Sequence, residues 1–207
     1  AYAIVNLTCF EGRLGSGPQD KREIYWPPYR SGVFGDESII QHWAVTVENV
    51  HVEHAHDIKK MARTTLRLRD NRTESRTFGA SRTIFLYTYE NWVDFGDLST
   101  ILSESFKSVA NAVCRLALEV HEAVTDTFPV SNTIVHCSAG VGRTGTFISL
   151  SHLLYELNNF LPNSDMLGCI HSHLASIISS MRQKRLWMVK SEFEYALIFA
   201  SLRTMLT

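Results

Sequence analysis

The feature that most constrains the fold is a short apolar run that stops at a cysteine and a glycine-rich turn. Residues 133–135 are Thr, Ile and Val, which favour a buried strand, whereas the glycines that follow Cys137 do not continue one. From Thr144 onward the spacing of apolar residues becomes helical. The sequence therefore predicts a strand, a loop that begins at Cys137, and a helix, an order common in α/β proteins.

The spacing within this loop predicts an anion site. Five residues separate Cys137 from Arg143, and two of them are glycines, so the backbone N–H groups can curl around one centre. The positive end of the helix dipole points to the same place, and Arg143 adds a planar, charged fork that fits two phosphate oxygens. These fields predict a lowered pKa and a nucleophilic thiolate at Cys137, with a hydrogen bond from the hydroxyl of Thr144.

The stretch from His136 to Gly145 reads His-Cys-Ser-Ala-Gly-Val-Gly-Arg-Thr-Gly. It resembles the signature of the tyrosine-specific protein phosphatases, a His-Cys pair, five residues, Arg, and then Ser or Thr. The resemblance extends over the chain and implies a single domain, residues 1–207, with an α/β fold in which a highly twisted mixed β-sheet is flanked by α-helices. It also implies hydrolysis of phosphotyrosine in proteins through a cysteinyl-phosphate, with no metal and no cofactor.

The resemblance assigns roles to the loop. Cys137 would be the nucleophile, and His136 would tune its thiolate from beneath. The phosphoryl group would be bound by Arg143 and by the backbone of Ser138, Ala139, Gly140, Val141 and Gly142.

Residues 90–96 resemble the family's mobile Trp-Pro-Asp loop. The resemblance makes Trp92 the hinge of that loop and Asp94 the general acid that protonates the tyrosyl oxygen, and afterwards the general base. Val93 stands where the family has proline, which would fix φ. We therefore expect a larger entropic cost of loop closure and slower chemistry.

Residues 181–190 resemble the family's last loop, where a glutamine orients the water that attacks the cysteinyl-phosphate. Lys190 stands at that position, and Glu194 stands at a second glutamine position. Lysine donates hydrogen bonds but accepts none, so phosphate binding would improve while hydrolysis of the intermediate suffers. The family's N-terminal loop, whose aromatic residue stacks on the phosphotyrosine ring, matches nothing here, so we expect that part of the domain to be missing.

Two alternatives remain. Lys190, Val93 and the unmatched N-terminal loop favour a module that binds phosphotyrosine and turns it over poorly. Residues 140–145 also read Gly-x-Gly-x-x-Gly, a dinucleotide fingerprint, but Asp165, at the spacing expected for the acidic residue, follows a loop. Nicotinamide binding would predict stabilisation by that cofactor, whereas the phosphatase interpretation predicts stabilisation by phosphate, vanadate or tungstate.

Composition excludes several classes of partner. Twenty basic and 21 acidic residues give a net charge of −1, which argues against nucleic acid or a membrane surface as a charge-driven partner. The four cysteines lack metal or disulfide spacing, and a reactive thiolate needs a reducing compartment. We expect a monomer without a membrane-inserted segment, acting on phosphotyrosine-containing proteins in the cytoplasm or at the cytosolic side of a membrane.

The remaining elements are predicted from periodicity. The histidines of residues 51–56, and His171 and His173 on a predicted helix, lack metal-ligand spacing and are interpreted as surface residues. We expect strands over 3–7, in two pieces within 40–56, over 62–70 and over 85–89, and helices over 98–127 with Ser99 as cap, 146–159, 167–183 and 191–206.

Overall fold

The computed structural model describes residues 3–8, 25–27, 39–41, 45–70, 81–92, 103–127, 133–159 and 166–205. The chain forms two compact units. The first comprises Ala1–Asn91 with Ser131–Ile134, and the second comprises Trp92–Val130 with Val135–Thr207. Among the described residues, no helix combines the length and the hydropathy that a membrane span requires.

The strands form one six-stranded mixed sheet. Neighbours from β2 to β5 are antiparallel, whereas β1 runs parallel to β5. Leu66 lies opposite Ile84 and packs with it and Leu86 in the core of the first unit. The strands, in the spatial order β2-β3-β4-β5-β1-β6, are β1 (Ala3–Asn6), β2 (Ile39–Gln41), β3 (Val45–His54), β4 (Met61–Asp70), β5 (Ser81–Tyr89) and β6 (Thr133–His136).

The prediction of two short strands within residues 40–56 is wrong in one respect. Strand β3 is continuous over 10 residues, and a register shift between Asn49 and His51 interrupts its pairing with β4. Such a bulge inserts one residue and changes which face the following side chains occupy, so the apolar alternation breaks although the strand does not. Asn49 is buried at this point, where its side-chain amide donates to the carbonyl of Pro27 at 2.8 Å.

The second unit contains four helices. Helix α1 packs against α2 and α4, and α2 also packs against α3 and α4. A buried stripe on α1 includes Val109, Val113, Leu116 and Val120, as its helical spacing predicts. The helices are α1 (Glu104–Thr127), α2 (Gly142–Asn159), α3 (Met166–Lys184) and α4 (Glu192–Met205).

Two helix starts differ from the sequence prediction. Helix α1 begins at Glu104 and is capped by Ser103, whose Oγ accepts from the N–H of Phe106 at 3.2 Å, so Ser99 is not its cap. Helix α2 begins at Gly142, earlier than predicted, because the N–H of Gly145 already donates to the carbonyl of Val141 at 3.0 Å. The loop that begins at Cys137, called the anion loop below (residues 137–144), therefore continues directly into the first turn of α2.

The predicted α/β fold with a mixed, twisted sheet is confirmed. The strand predicted before Cys137 is present as β6, which ends at His136, the residue before Cys137. The assignment of residues 1–207 to a single domain remains a prediction.

Candidate active site

The thiol of Cys137 lies where β6 gives way to the loop. Its Sγ accepts a hydrogen bond from the N–H of Gly140 at 3.3 Å and from the hydroxyl of Thr144 at 3.1 Å. Gly140 has a φ of 69°, a left-handed conformation that glycine adopts without strain. The hydrogen bond predicted from Thr144 is thus present, and the loop closes back on the sulfur.

The surroundings of Cys137 lower the pKa of its thiol below the ordinary value. Burial on its own raises the pKa, but hydrogen bonds from Thr144 and Gly140 and the charge of Arg143 act in the opposite direction and prevail. The thiolate is the nucleophilic form of cysteine, so the site increases the reactive fraction at neutral pH.

His136, the last residue of β6, is partly buried beside Cys137. Burial lowers the pKa of its imidazole, and a hydrogen bond with the backbone of Cys137 opposes the shift without cancelling it. The neutral imidazole is therefore favoured at neutral pH. Positive charge at the thiolate comes from Arg143 rather than from His136.

The guanidinium of Arg143 is held from two sides. It is only 5% exposed, and Nη1 donates to the carbonyl of Trp92 at 3.1 Å while Nη2 donates to the hydroxyl of Ser138 at 2.9 Å. Trp92 itself is 1% exposed, so this carbonyl is a fixed acceptor. A guanidinium has five N–H donors, and these two hydrogen bonds use two of them.

Arg185 adds a second guanidinium to the loop, and sequence reasoning assigned it no role. Its Nη2 donates to the carbonyl of Ala139 at 2.9 Å. A Cβ at Gly140 would lie 3.3 Å from the same nitrogen, so the absence of a side chain lets the arginine approach. The two residues joined by this hydrogen bond are 46 positions apart, and only the resemblance of residues 181–190 to the family's last loop pointed to this segment.

The segment after α3 is also joined to the anion loop through its backbone. The N–H of Val189 donates to the carbonyl of Val141 at 3.3 Å, and a Cβ at Gly145 would lie 2.5 Å from that nitrogen. Val189 has a φ of 54°, which is strained for a β-branched residue. Arg182 holds this conformation, because its Nε donates to the carbonyl of Met188 at 2.9 Å and its Nη2 to that of Val189 at 2.7 Å.

The side chain of Glu194 caps the N-terminus of α4 and lies against the first residue of α2. The N–H of Glu194 donates to Oγ of Ser191 at 3.2 Å, and its Oε2 accepts from the N–H of Ser191 at 3.1 Å, which is a capping box. The same Oε2 accepts from the N–H of Lys190 at 2.6 Å. A Cβ at Gly142 would lie 2.0 Å from Oε1, so the buried carboxylate occupies the space that glycine leaves.

Lys190 is held by its backbone and exposed in its side chain. With Arg182, Glu192 and Tyr195 it lines an open groove beside the loop after α3. This exposed ammonium stands where the family resemblance expects a glutamine amide.

The structure brings together most of the predicted site residues. Trp92 and the loop from Cys137 to Thr144 form one hydrogen-bonded group, and Lys190 adjoins it through Glu194. Asp94 and Val93 lie outside the described residues, so the place of the predicted acid remains a prediction. In the part of the chain that the structure describes, the one group of potential metal ligands is His152, Glu156 and His173, none of which belongs to the loop.

This arrangement is suited to phosphoryl chemistry. A thiolate stabilised by hydrogen bonds lies beside a fixed guanidinium and the N-terminus of a helix, both of which attract an anion. The same groups would also stabilise a thiolate that departs from phosphorus.

Comparisons with known proteins agree with this geometry. A sequence model of the family described as "Protein-tyrosine phosphatase" matches residues 3–203. The human receptor-type tyrosine-protein phosphatase eta is 27% identical over 210 residues, which cover 95% of this chain and 12% of that protein. Tyrosine-protein phosphatase 1 of Schizosaccharomyces pombe is 31% identical over 198 residues, which cover 88% of this chain and 30% of that protein.

A third relative has a similar likeness. The human tyrosine-protein phosphatase non-receptor type 9 is 29% identical over 194 residues, which cover 93% of this chain and 28% of that protein. The chain thus spans less than a third of the length of these three relatives.

Proposed function

Because the chain belongs to the protein-tyrosine phosphatase family, we propose that it hydrolyses phosphotyrosine in proteins through a covalent cysteinyl-phosphate. The observation that carries the proposal is the environment of Cys137. Its Sγ accepts hydrogen bonds from Thr144 and Gly140, and the charge of Arg143 further lowers the pKa of the thiol. These are the conditions for a nucleophilic thiolate next to a bound anion.

In the first step, the thiolate of Cys137 attacks phosphorus and forms an S–P bond while the bond from phosphorus to the tyrosyl oxygen breaks. The electron pair of that bond goes to the oxygen, which Asp94 protonates so that tyrosine leaves as a neutral phenol. The backbone from Ser138 to Arg143 and the guanidinium of Arg143 bind the non-bridging oxygens. The hydrogen bond from Arg143 to Trp92, two residues before Asp94, supports the assignment of the acid.

In the second step, water attacks phosphorus, the S–P bond breaks, and the electron pair returns to sulfur. Asp94, now a carboxylate, accepts the proton of the water, and inorganic phosphate leaves. Thr144 and Gly140 again donate to the thiolate, which makes Cys137 a better leaving group than an unsupported thiolate. No metal or cofactor enters either step.

Lys190 makes the second step the slower one in this proposal. The family glutamine both donates and accepts hydrogen bonds, whereas an ammonium group has no acceptor for a proton of the attacking water. Its charge also attracts the product phosphate. We therefore infer fast formation and slow hydrolysis of the cysteinyl-phosphate.

A second candidate is a binding module that captures phosphotyrosine and turns it over poorly or not at all. The observation that favours it is the pair Lys190 and Glu194 at the two glutamine positions. Glu194 is committed to the backbone of Lys190 and Ser191 as a cap, which leaves it less free to orient water.

Rapid mixing with an aryl phosphate, following phenol release, tests the function. We expect a burst of one phenol per protein followed by a slow steady state, and no release with Cys137→Ser. Thermal unfolding with vanadate measures anion binding separately. If the protein releases phenol no faster than Cys137→Ser while vanadate still stabilises both, the enzyme proposal is overturned and the binding module stands.

The partners follow from the same proposal. Phosphotyrosine-containing proteins would be the substrates, and the reactive thiolate would require a reducing compartment, such as the cytoplasm or the cytosolic side of a membrane. We propose a monomer for this segment.

A further inference from the structure

Three potential metal ligands meet on the exposed faces of two neighbouring helices. His152 and Glu156 are one turn apart on α2, so their side chains lie on the same face, and His173 comes from α3. The carboxylate of Glu156 separates the two imidazoles, with Oε1 at 3.3 Å from Nε2 of His152 and Oε2 in contact with Nε2 of His173. One ligand atom from each residue lies within 4.8 Å of the others.

The two imidazoles have matched orientations. Their rings are 10° from parallel with centroids 6.3 Å apart, and both direct Nε2 towards the same carboxylate. In a tetrahedral zinc site, bonds of about 2.0–2.1 Å place neighbouring ligand atoms about 3.3–3.4 Å apart. The separation of His152 and Glu156 already equals that value, and the exposed side chain of His173 can adjust the rest by rotation.

We propose that His152, Glu156 and His173 form a binding site for a divalent transition-metal ion of the zinc class. Two neutral imidazoles and one carboxylate are a usual ligand set for Zn²⁺, and water would complete a tetrahedron. The ion would replace two carboxylate–imidazole contacts with three coordinate bonds. It would also link α2 to α3, which Glu156 and His173 already bring into contact.

The site is separate from the phosphatase chemistry. His152 follows the start of α2 by ten residues, which places it about 15 Å along the helix axis from Gly142. A zinc ion bound there would not contact Cys137. A thiolate can also bind zinc, however, so any test must remove the thiol of Cys137 as a competing zinc ligand.

No sequence pattern predicts this site, because its ligands are divided between two helices. His152 and Glu156 have the spacing of one helical turn, but two ligands do not define a metal site, and the third follows 17 positions after Glu156. His173 is exposed on a helix as expected, but its spacing from His171 does not indicate its contacts with Glu156 and His152.

Isothermal titration with ZnCl₂ into a Cys137→Ser, Cys169→Ser variant tests the proposal, since both accessible thiols that are described are then absent. We expect one zinc ion per chain. Adding His173→Asn should weaken binding by more than tenfold, because loss even of an outer partner of a metal ligand commonly costs 10-fold to 100-fold. His171→Asn is the matched control, since this exposed histidine on the same helix stacks on Phe199 instead.

Thermal unfolding of the same variants gives a second measurement that does not depend on activity. Zinc should raise the unfolding temperature of the Cys137→Ser, Cys169→Ser protein and of its His171→Asn form, but not of its His152→Asn or His173→Asn forms. Equal zinc affinity of the His171→Asn and His173→Asn forms would overturn the proposal. So would loss of all zinc binding once the two thiols are removed.

Discussion

The anion loop, residues 137–144, and the segment after α3, residues 185–194, are hydrogen-bonded to each other but differ in how far they keep the family's residues. The first matches the Cys, five residues, Arg and Thr of the family's signature, and the side chains of Cys137, Arg143 and Thr144 are all hydrogen-bonded. The second donates to carbonyls of the first from the side chain of Arg185 and the N–H of Val189, but it carries Lys190 and Glu194 where the resemblance expects glutamines.

This difference separates the two halves of the reaction. In the proposed mechanism, the groups that bind phosphate and attack phosphorus belong to the first region, whereas the groups that would orient water belong to the second. A chain can therefore keep fast phosphoryl capture while losing fast hydrolysis. Substitutions in the two regions should produce distinct kinetic signatures.

Replacing Arg143 with Lys should have the largest effect on this comparison. Lysine keeps the charge but cannot reach the Trp92 carbonyl, Ser138 and an anion at once, so both the site geometry and the bidentate contact are lost. We expect kcat/KM for an aryl phosphate to fall by about 10³-fold, the upper range for removing a donor to a transition-state anion.

Arg185→Lys is the control for that substitution, since this exposed arginine donates to the carbonyl of Ala139 from outside the anion loop. Its kcat/KM should fall much less. Equal losses in the two variants would contradict the central role of Arg143.

Replacing Thr144 with Val should have an intermediate effect that depends on pH. Thr144 is among the causes that lower the pKa of the Cys137 thiol, so its removal raises that pKa. Because activity requires the thiolate, the ascending limb of the pH profile of kcat/KM should move to higher pH. A hydrogen bond to a charged group contributes about 1.5–3 kcal/mol, so at acidic pH the loss should be about 10-fold or more.

Thr146→Val provides a matched control. Its hydroxyl donates to the carbonyl of Gly142 at 3.2 Å and is fully buried, but it does not contact the sulfur. It should change stability without moving the pH profile. An unshifted profile for Thr144→Val would show that the hydroxyl does not set the thiolate population.

Replacing Lys190 with Gln should have the smallest effect and in the opposite direction. The burst of phenol should keep its amplitude and rate, while the steady-state rate rises several-fold because the amide can orient water. Lys184→Gln, an exposed lysine at the end of α3, should leave both phases unchanged. A fall in the burst rate with Lys190→Gln would mean that Lys190 serves the first step instead.

Local features of the sequence were sufficient to predict the surroundings of Cys137. The strand, the loop and the donors to Cys137 lie within one stretch of residues, so spacing and residue type define them. The serine that caps α1 was harder to choose, because Ser99 and Ser103 both precede helix-forming residues. The bulge in β3 was not predictable from alternation, since it shifts the phase without breaking the strand.

Contacts between residues far apart in the chain could not be predicted from the sequence. The hydrogen bond from Arg185 to Ala139 depends on how α3 packs beside α2. The close approach of Glu194 to Gly142 depends likewise on the packing of α4. Neither is encoded by a periodicity, because tertiary packing alone determines which side chain fills the space beside a glycine.

The carboxylate beside Gly142 has a consequence for how this chain can change over generations. A single substitution of Gly142 by alanine would place a methyl group against the carboxylate of Glu194, which would have to move away from the backbone groups that it caps. The same substitution meets less steric resistance in a lineage where residue 194 has already become smaller, at the expense of the cap on α4. The two positions are therefore epistatic, and the order in which they mutate decides which sequences are reachable.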